Sequence, residues 1–315
     1  MDISKEQEAA LEKHTMRDLG IALVSASTVL GLLFFVPSAT VPAAQPAAVV
    51  VAPPPAPDAY AAVSLDAKAA VVYDLVTGKT LYAKNADAQL PLASLTKLLA
   101  VYAAVSRLAP STQITISDSA TQAEAPHAFN VGQILSLDDL ARLTLTASLN
   151  DGAVAIVEAV AGAGGTQVAA LAGAASELSL TQTYAVNGNG LDISETVSGG
   201  YGSARDMARL AGALVERAPG IALATTHRST HAVSQGGTAF TVKNTNPMVE
   251  TMPRLLLSKT GFTDLAGGNL ALVFDVGINH PVAVVVLGST KDARFTDASA
   301  LIAATLAHFA GVASL

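Results

Sequence analysis

Pro91–Leu92–Ala93–Ser94–Leu95–Thr96–Lys97–Leu98–Leu99–Ala100–Val101–Tyr102 is the stretch on which the reading of this chain turns. It contains Ser-x-x-Lys between a proline and an apolar run. A helix beginning at Ser94 puts Lys97 one turn on, on the same face. An amine then stands beside a hydroxyl, with free backbone N–H groups at the helix end. A serine hydroxyl is a weak nucleophile until a neighbour takes its proton. A lysine can take it when burial and another cation lower its pKa. The motif alone also has an ordinary explanation, because Ser is a common N-cap and Lys is common on helix surfaces. The rest of the chain has to supply the partners.

Working outward, two more motifs stand beside it. One is Ser148–Leu149–Asn150, followed by Asp151; the other is Lys259–Thr260–Gly261, at the end of an expected strand. The spacings are 148 − 94 = 54 and 259 − 148 = 111 residues. Lys-Thr-Gly by itself suits an ordinary turn, and Ser-x-Asn is weaker still. All three in this order, each on a suitable element, are a specific signature of acyl transfer through serine.

The elements around the motifs set the fold class. Residues 69–74 and 80–83 read as two strands joined by a turn at Thr77–Gly78. A helix is expected from Ser94 to about Leu108, and a short strand at 114–116. From Ser136 to Ala161 the pattern is helical, broken near 148–151, and another helix is expected over 167–178. Ser203–Ala204–Arg205–Asp206 has the form of a capping box and opens a helix through Glu216. Strands are then expected at 255–259, 269–275 and 282–287, and a final helix at 296–310. Strands at both ends with helices between them predict an α/β chain of the α+β type. Its one antiparallel sheet is built from both ends of the domain around a helical insertion.

Composition narrows the function. The 315 residues are half hydrophobic, with no Trp and a net charge of −7. That charge argues against a broad nucleic-acid-binding face. The absence of Cys excludes disulfides and thiolate metal sites, and the six His show no zinc-ligand spacing. Neither a metal nor an organic cofactor is expected.

The N-terminal fifth is organised differently. Residues 1–18 are polar and charged and are expected to be a cytoplasmic segment. Residues 19–36 carry no charge and are about the minimum length to cross a bilayer as a helix. The next Lys or Arg is Lys68, which places the N-terminus inside and the rest of the chain outside the cytoplasm. The alternative is a cleaved signal, since small residues follow at 38–40 and 42–44, and the protein would then be secreted. Residues 37–59 read as an extended linker, because 37–57 hold seven of the 14 prolines. The catalytic domain is expected over 60–315.

The chain resembles the D-alanyl-D-alanine carboxypeptidases, the low-molecular-mass penicillin-binding proteins. Residues 91–97 resemble that family's nucleophile segment, and Ala147–Ala153 its Ser-Gly-Asn-Asp-Ala-Ala, with Leu149 in place of a small residue. Residues 187–192, Asn-Gly-Asn-Gly-Leu-Asp, resemble Asn-Pro-x-Gly-Leu-Asp. Residues 201–208, 243–247 and 259–268 also match. The resemblance implies a β-lactamase/DD-peptidase-like fold and hydrolysis of the terminal D-alanine from peptidoglycan stem peptides. It implies β-lactam antibiotics as covalent inhibitors.

The family's roles fall residue by residue on this chain. Ser94 is the implied nucleophile and Lys97 its base. Ser148 relays a proton to the departing amine, and Asn150 holds Lys97 or the substrate amide. Lys259, Thr260 and Arg294 bind the terminal carboxylate; Arg294 lies 294 − 259 = 35 residues after Lys259. Gly261 belongs to the same strand motif. The backbone N–H groups of Ser94 and Phe262 form the oxyanion hole. Three rival readings use the same motifs: a DD-endopeptidase, a β-lactamase, and an inactive wall-binding protein. The β-lactamase needs a glutamate to activate water. Glu177 offers the nearest text but lacks the accompanying Asn, and it reads better as part of a solvated helix end.

Overall fold

The hairpin at Thr77–Gly78 forms as the sequence predicts, joining strands β1 (Ala69–Asp74) and β2 (Thr80–Lys84). Asp74 fastens the turn by accepting N–H bonds from Val76 and Thr77 and the Thr77 hydroxyl. Three strands from the other end of the chain complete the sheet: β3 (Leu255–Thr263), β4 (Gly267–Asp275) and β5 (Pro281–Ser289). The order is β3-β4-β5-β1-β2, antiparallel throughout. Register pairs Ala69 with Leu287 and Asp74 with Val282, so the first strand of the domain closes on the last.

The computed structural model describes residues 12–19, 21, 58–277 and 279–311. The chain divides into two units, Met1–Pro54 and Pro55–Leu315. In the first, residues 12–19 are helical. The expected membrane-crossing segment 19–36 lies outside the described residues except at positions 19 and 21. The expected linker lies outside them up to residue 57. Among the described residues, no helix is long and apolar enough to cross a membrane.

Period-two alternation gives the sheet two apolar faces. Val71, Leu257, Val273 and Val285 face the helical insertion. Val72, Leu272, Phe274 and Val284 face the final helix, which covers them with Ala298, Leu301 and Ile302. A strand buried on both faces reads as a continuous apolar run, as Val282–Leu287 does.

The helices that matter for function are α1 (Thr96–Val105), α2 (Leu137–Ala147), α3 (Asn150–Ala161), α4 (Gln167–Glu177), α5 (Ala204–Arg217) and α6 (Ala293–Ala310). All six were expected, with three differences of detail. Ser94 does not start an α-helix. It sits in a 3-10 turn, Ala93–Leu95, that runs into α1, and Ala93 is held at φ 47°. The strand expected to end at Lys259 continues to Thr263, because Gly261–Thr263 find partners at Gly267–Asn269. Only half of the capping box forms. Ser203 accepts the Asp206 N–H, but the buried Asp206 carboxylate turns away from the Ser203 N–H and accepts from Gln182 N and the Thr183 hydroxyl instead.

A hairpin of Ser229–Val233 and Ala239–Lys243 was not anticipated. Its alternating burial around Gln235–Gly236–Gly237 is the pattern that signals one.

Candidate active site

Four segments converge on Ser94: the 3-10 turn with α1, the junction between α2 and α3, the loop at 187–200, and β3. Lys97, in the first turn of α1, is fully buried. Its Nζ lies 2.8 Å from Ser94 Oγ, 2.7 Å from Asn150 Oδ1 and 2.7 Å from the carbonyl oxygen of Asn189. The Asn150 amide has only one workable orientation. Its Nδ2 donates to the carbonyls of Glu124 and Ala125, so Oδ1 must face the amine.

The chemistry of that amine follows from counting its neighbours. Asn150 Oδ1 and Asn189 O can only accept, and they consume two N–H groups. The third neighbour, the Ser94 hydroxyl, can donate. A neutral Lys97 therefore turns its lone pair to the Ser94 proton. Lys97 is held well below the ordinary lysine value by burial, then by the charge of Lys259; the Asp151 carboxylate opposes this. Asp151 is itself buried, accepting N–H bonds from Ala128, Phe129 and Gly152. It thereby holds the 124–129 loop against Asn150.

Ser148 ends α2 in the left-handed conformation, φ 60° and ψ 36°. The sharp break swings its hydroxyl across the cleft to β3, where it accepts a 2.8 Å bond from Lys259 Nζ. Lys259 also donates to the Thr260 carbonyl at 2.7 Å. Its pKa is lowered to about 7, by burial first and then by the Arg294 cation. The Thr260 hydroxyl donates to Thr245 Oγ1. Asn246 Nδ2 donates to Ser258 Oγ, so the 244–247 segment braces the strand.

Gly261 lets β3 press against the nucleophile turn. A Cβ there would lie 2.9 Å from Leu92 O and 3.3 Å from Ser94 N. Phe262 follows with an exposed ring beneath the Lys291 amine. Arg294, in the first turn of α6, is buried and reaches β3 through a 2.7 Å bond from Nη1 to the Gly261 carbonyl. Its Nε is buried and has no partner among the described residues.

The structure thus brings Ser94, Lys97, Ser148, Asn150, Lys259, Thr260, Gly261 and Arg294 to one cleft, with Phe262 at its rim. Sequence reasoning had noted residues 187–192 without giving them a task. Asn187 Oδ1 accepts the Gly190 N–H and Asn189 Oδ1 the Leu191 N–H, which aims the Asn189 carbonyl at Lys97. Gly190, at φ +77°, lies against the Ala93 carbonyl with no room for a side chain. Glu177 is exposed at the end of α4 and accepts the Tyr102 hydroxyl, as a helix-end residue would. No group of His, Cys, Asp or Glu able to hold a metal occurs among the described residues.

A serine paired with a buried lysine, faced by Ser-x-Asn and by Lys-Thr-Gly on an antiparallel sheet, defines a serine acyl-transfer enzyme of the penicillin-binding class. The family model for D-alanyl-D-alanine carboxypeptidases, peptidases of type S11, matches residues 55–291, and the chain belongs to that family. It is 31% identical to a D-alanyl-D-alanine endopeptidase of Pseudomonas aeruginosa, over 81% of this chain and 82% of that one. It is 30% identical to the D-alanyl-D-alanine carboxypeptidase DacC of Escherichia coli, over 78% of this chain but 64% of that longer relative. Among solved structures, penicillin-binding protein D2 of Listeria monocytogenes with ampicillin bound superposes with TM-score 0.65 at 25% identity, covering 76% of this chain and 97% of the other. A D-alanyl-D-alanine carboxypeptidase from Mycobacterium tuberculosis shares the fold with TM-score 0.69 at 23% identity, over 78% and 92%.

Proposed function

We propose that the chain removes the terminal D-alanine from peptidoglycan stem peptides by way of an acyl-enzyme on Ser94. The observation that carries this reading is the Lys97 amine, which has two obligate acceptors and turns its remaining site to the Ser94 hydroxyl. Lys97 accepts the Ser94 proton as Oγ attacks the carbonyl between the two alanines. The N–H groups of Ser94 and Phe262 take the developing oxyanion, an effect worth a few kcal/mol. The proton passes through Ser148 to the leaving amine, D-alanine departs, and water hydrolyses the ester. β3 is an edge strand, so an extended peptide can pair with it, its carboxylate toward Lys259, Thr260 and Arg294. The same nucleophile would be acylated by β-lactams, as the ampicillin-bound relative suggests.

Mass spectrometry of a pentapeptide-bearing wall fragment incubated with the enzyme tests this. Loss of one alanine, absent in Ser94→Ala, is the expected product. Cleavage of cross-links without that loss would replace the reading by DD-endopeptidase action, which the 31% identity to an endopeptidase favours as the second reading. We also infer that residues 19–36 anchor the protein in the cell membrane with the catalytic domain outside the cytoplasm. A mature N-terminus near Ala44 in the soluble fraction would show a cleaved signal instead.

A further inference from the structure

Asn269, in β4, is fully buried, and its amide is bonded at both ends. Its Oδ1 accepts the Gly288 N–H at 2.8 Å, and its Nδ2 donates to the Pro91 carbonyl at 3.0 Å. One partner can only donate and the other only accept, so the amide has one workable orientation. It links β4, β5 and the segment that leads into Ser94.

The Gly288 bond has a local cause. Gly268 pairs with Ser289 and Leu270 with Val286, so Leu287 and Gly288 together oppose Asn269. Such a bulge leaves an N–H out of the ladder, and Asn269 Oδ1 takes it. An acceptor alone would satisfy that need. The donor half of the amide serves Pro91 instead.

Asn269 stands directly opposite Gly261 in the β3–β4 pair. Opposed residues share a face, and on that face Gly261 has the Leu92 carbonyl and Ser94 N against it. The Asn269 side chain therefore reaches Pro91 beside the point where β3 meets the nucleophile turn. Arg294 Nη1 bonds the Gly261 carbonyl and fixes β3 at the same place. The 187–200 loop also holds the turn, since Leu92 N donates to Gly200 O at 2.9 Å.

The oxyanion donors proposed above ride on different segments. The Ser94 N–H belongs to the turn and the Phe262 N–H to β3. Their separation, and the aim of Ser94 Oγ, depend on how the turn seats on the sheet. We infer that Asn269 is a positioning residue for acylation: its Nδ2–H bond to the Pro91 carbonyl sets the nucleophile turn against the strand that carries the second oxyanion donor. This role rests on the acyl-enzyme reading of Ser94, and the buried Asn269 amide itself meets no substrate.

Stopped-flow acylation by a fluorescent penicillin, over a range of concentrations, separates three quantities. They are the binding constant before acylation, the acylation rate constant and the fraction of sites labelled. Asn269→Ala removes both amide bonds. Asn269→Asp at about pH 9, with its carboxylate ionised, keeps an acceptor for Gly288 and loses the donor to Pro91. Both variants are expected to acylate roughly ten- to a hundredfold more slowly, the scale of a misplacement of about 1 Å. The preceding binding constant should hardly change, because Lys259, Thr260 and Arg294 keep their places on and beside β3. The labelled fraction should match the wild type. A purely structural loss would lower the labelled fraction and leave the rate constant of the folded sites unchanged, which would overturn the role. So would Asn269→Asp acylating at the wild-type rate, since the Gly288 bond alone would then suffice. If Asn269→Ala does not fold, Asn269→Asp decides; if neither folds, the amide belongs to the fold and the positioning role falls. A wild type that is never labelled would overturn the acyl-enzyme reading and this role with it. Equal rate constants in all three proteins would overturn this role alone.

Discussion

The Lys97 amine lies 2.7 Å from the backbone carbonyl oxygen of Asn189, 92 residues further along the chain. A carbonyl can only accept, so this contact fixes one N–H of the amine permanently. Asn150 Oδ1 fixes a second, because the other half of that amide is anchored to Glu124 and Ala125. What remains of the nitrogen faces Ser94. Burial and the Lys259 cation keep the amine neutral at a pH where a free lysine is charged.

Lys97→Arg should be inactive toward both peptide and β-lactam, since a guanidinium stays protonated and cannot take the Ser94 proton. In the wild type the rate of acylation by a fluorescent penicillin should rise with pH as Lys97 loses its proton. The midpoint should lie well below the ordinary lysine range, because the folded-state pKa is depressed. Stopped-flow labelling across pH measures both. A Lys97→Arg protein acylated near the normal rate would remove Lys97 as the base.

Gly190 and Asn189 separate a backbone role from a side-chain one. Gly190→Ala puts a methyl group into the Ala93 carbonyl at a φ of +77°, so it must displace either the loop or the nucleophile turn. Acylation should fall by about a hundredfold or more, on the scale of losing one well-placed catalytic hydrogen bond. Asn189→Ala keeps the carbonyl that Lys97 uses and loses only a turn contact to Leu191. Its acylation rate should stay within about tenfold of wild type, in line with about 1 kcal/mol for one hydrogen bond. Penicillin labelling rates of the two folded variants decide the matter, and the reverse ranking would mean that the side chain carries the role.

Lys259 couples function to stability. Its pKa is lowered to about 7 in the folded protein, against about 10.4 for an unfolded lysine. Between those values the unfolded chain binds more protons, so folding stability rises as pH rises. Relative to Lys259→Met, the wild type should gain on the order of 1 kcal/mol per pH unit from pH 7.5 to 9.5. Denaturant unfolding at several pH values measures the difference. A difference independent of pH would mean that Lys259 titrates normally.

Much of this arrangement was legible because each motif sits where its own segment breaks the regular pattern. Ser148 interrupts an otherwise continuous helical run, and Lys-Thr-Gly ends in a residue too small to be decoration. The sheet from both chain ends followed from the apolar runs at 69–72 and 282–287. What stayed hidden acts through backbone. The Asn189 carbonyl, the Glu124 and Ala125 carbonyls and the strained Ala93 carry no side-chain signature of their function. The true end of β3 was also hidden, since Gly261 weakens strand propensity where close approach to Ser94 requires it.

Arg294 is where geometry and the sequence expectation meet least simply. Expected to grip the substrate carboxylate, it is buried at 6% exposure with one donor already committed to the Gly261 carbonyl. That bond alone would make it a brace for β3. Yet a guanidinium carries five N–H donors in a planar fork, and its Nε has no partner among the described residues. The Arg294 cation stands close enough to lower the pKa of Lys259, while Arg294 is itself lowered by burial, which Asp292 opposes. A bound carboxylate would relieve that repulsion. Arg294→Ala should therefore lose about 1.5–3 kcal/mol of transition-state binding on peptides ending in free D-Ala-D-Ala, roughly ten- to a hundredfold or more in kcat/KM. On an analogue with an amidated terminus the loss should be much smaller. Arg294→Lys should recover only part of the difference, because an ammonium cannot make two parallel bonds. Steady-state kinetics on the paired substrates give the result. Equal losses on both would assign Arg294 to bracing β3 through Gly261, and carboxylate recognition would then rest on Lys259 and Thr260.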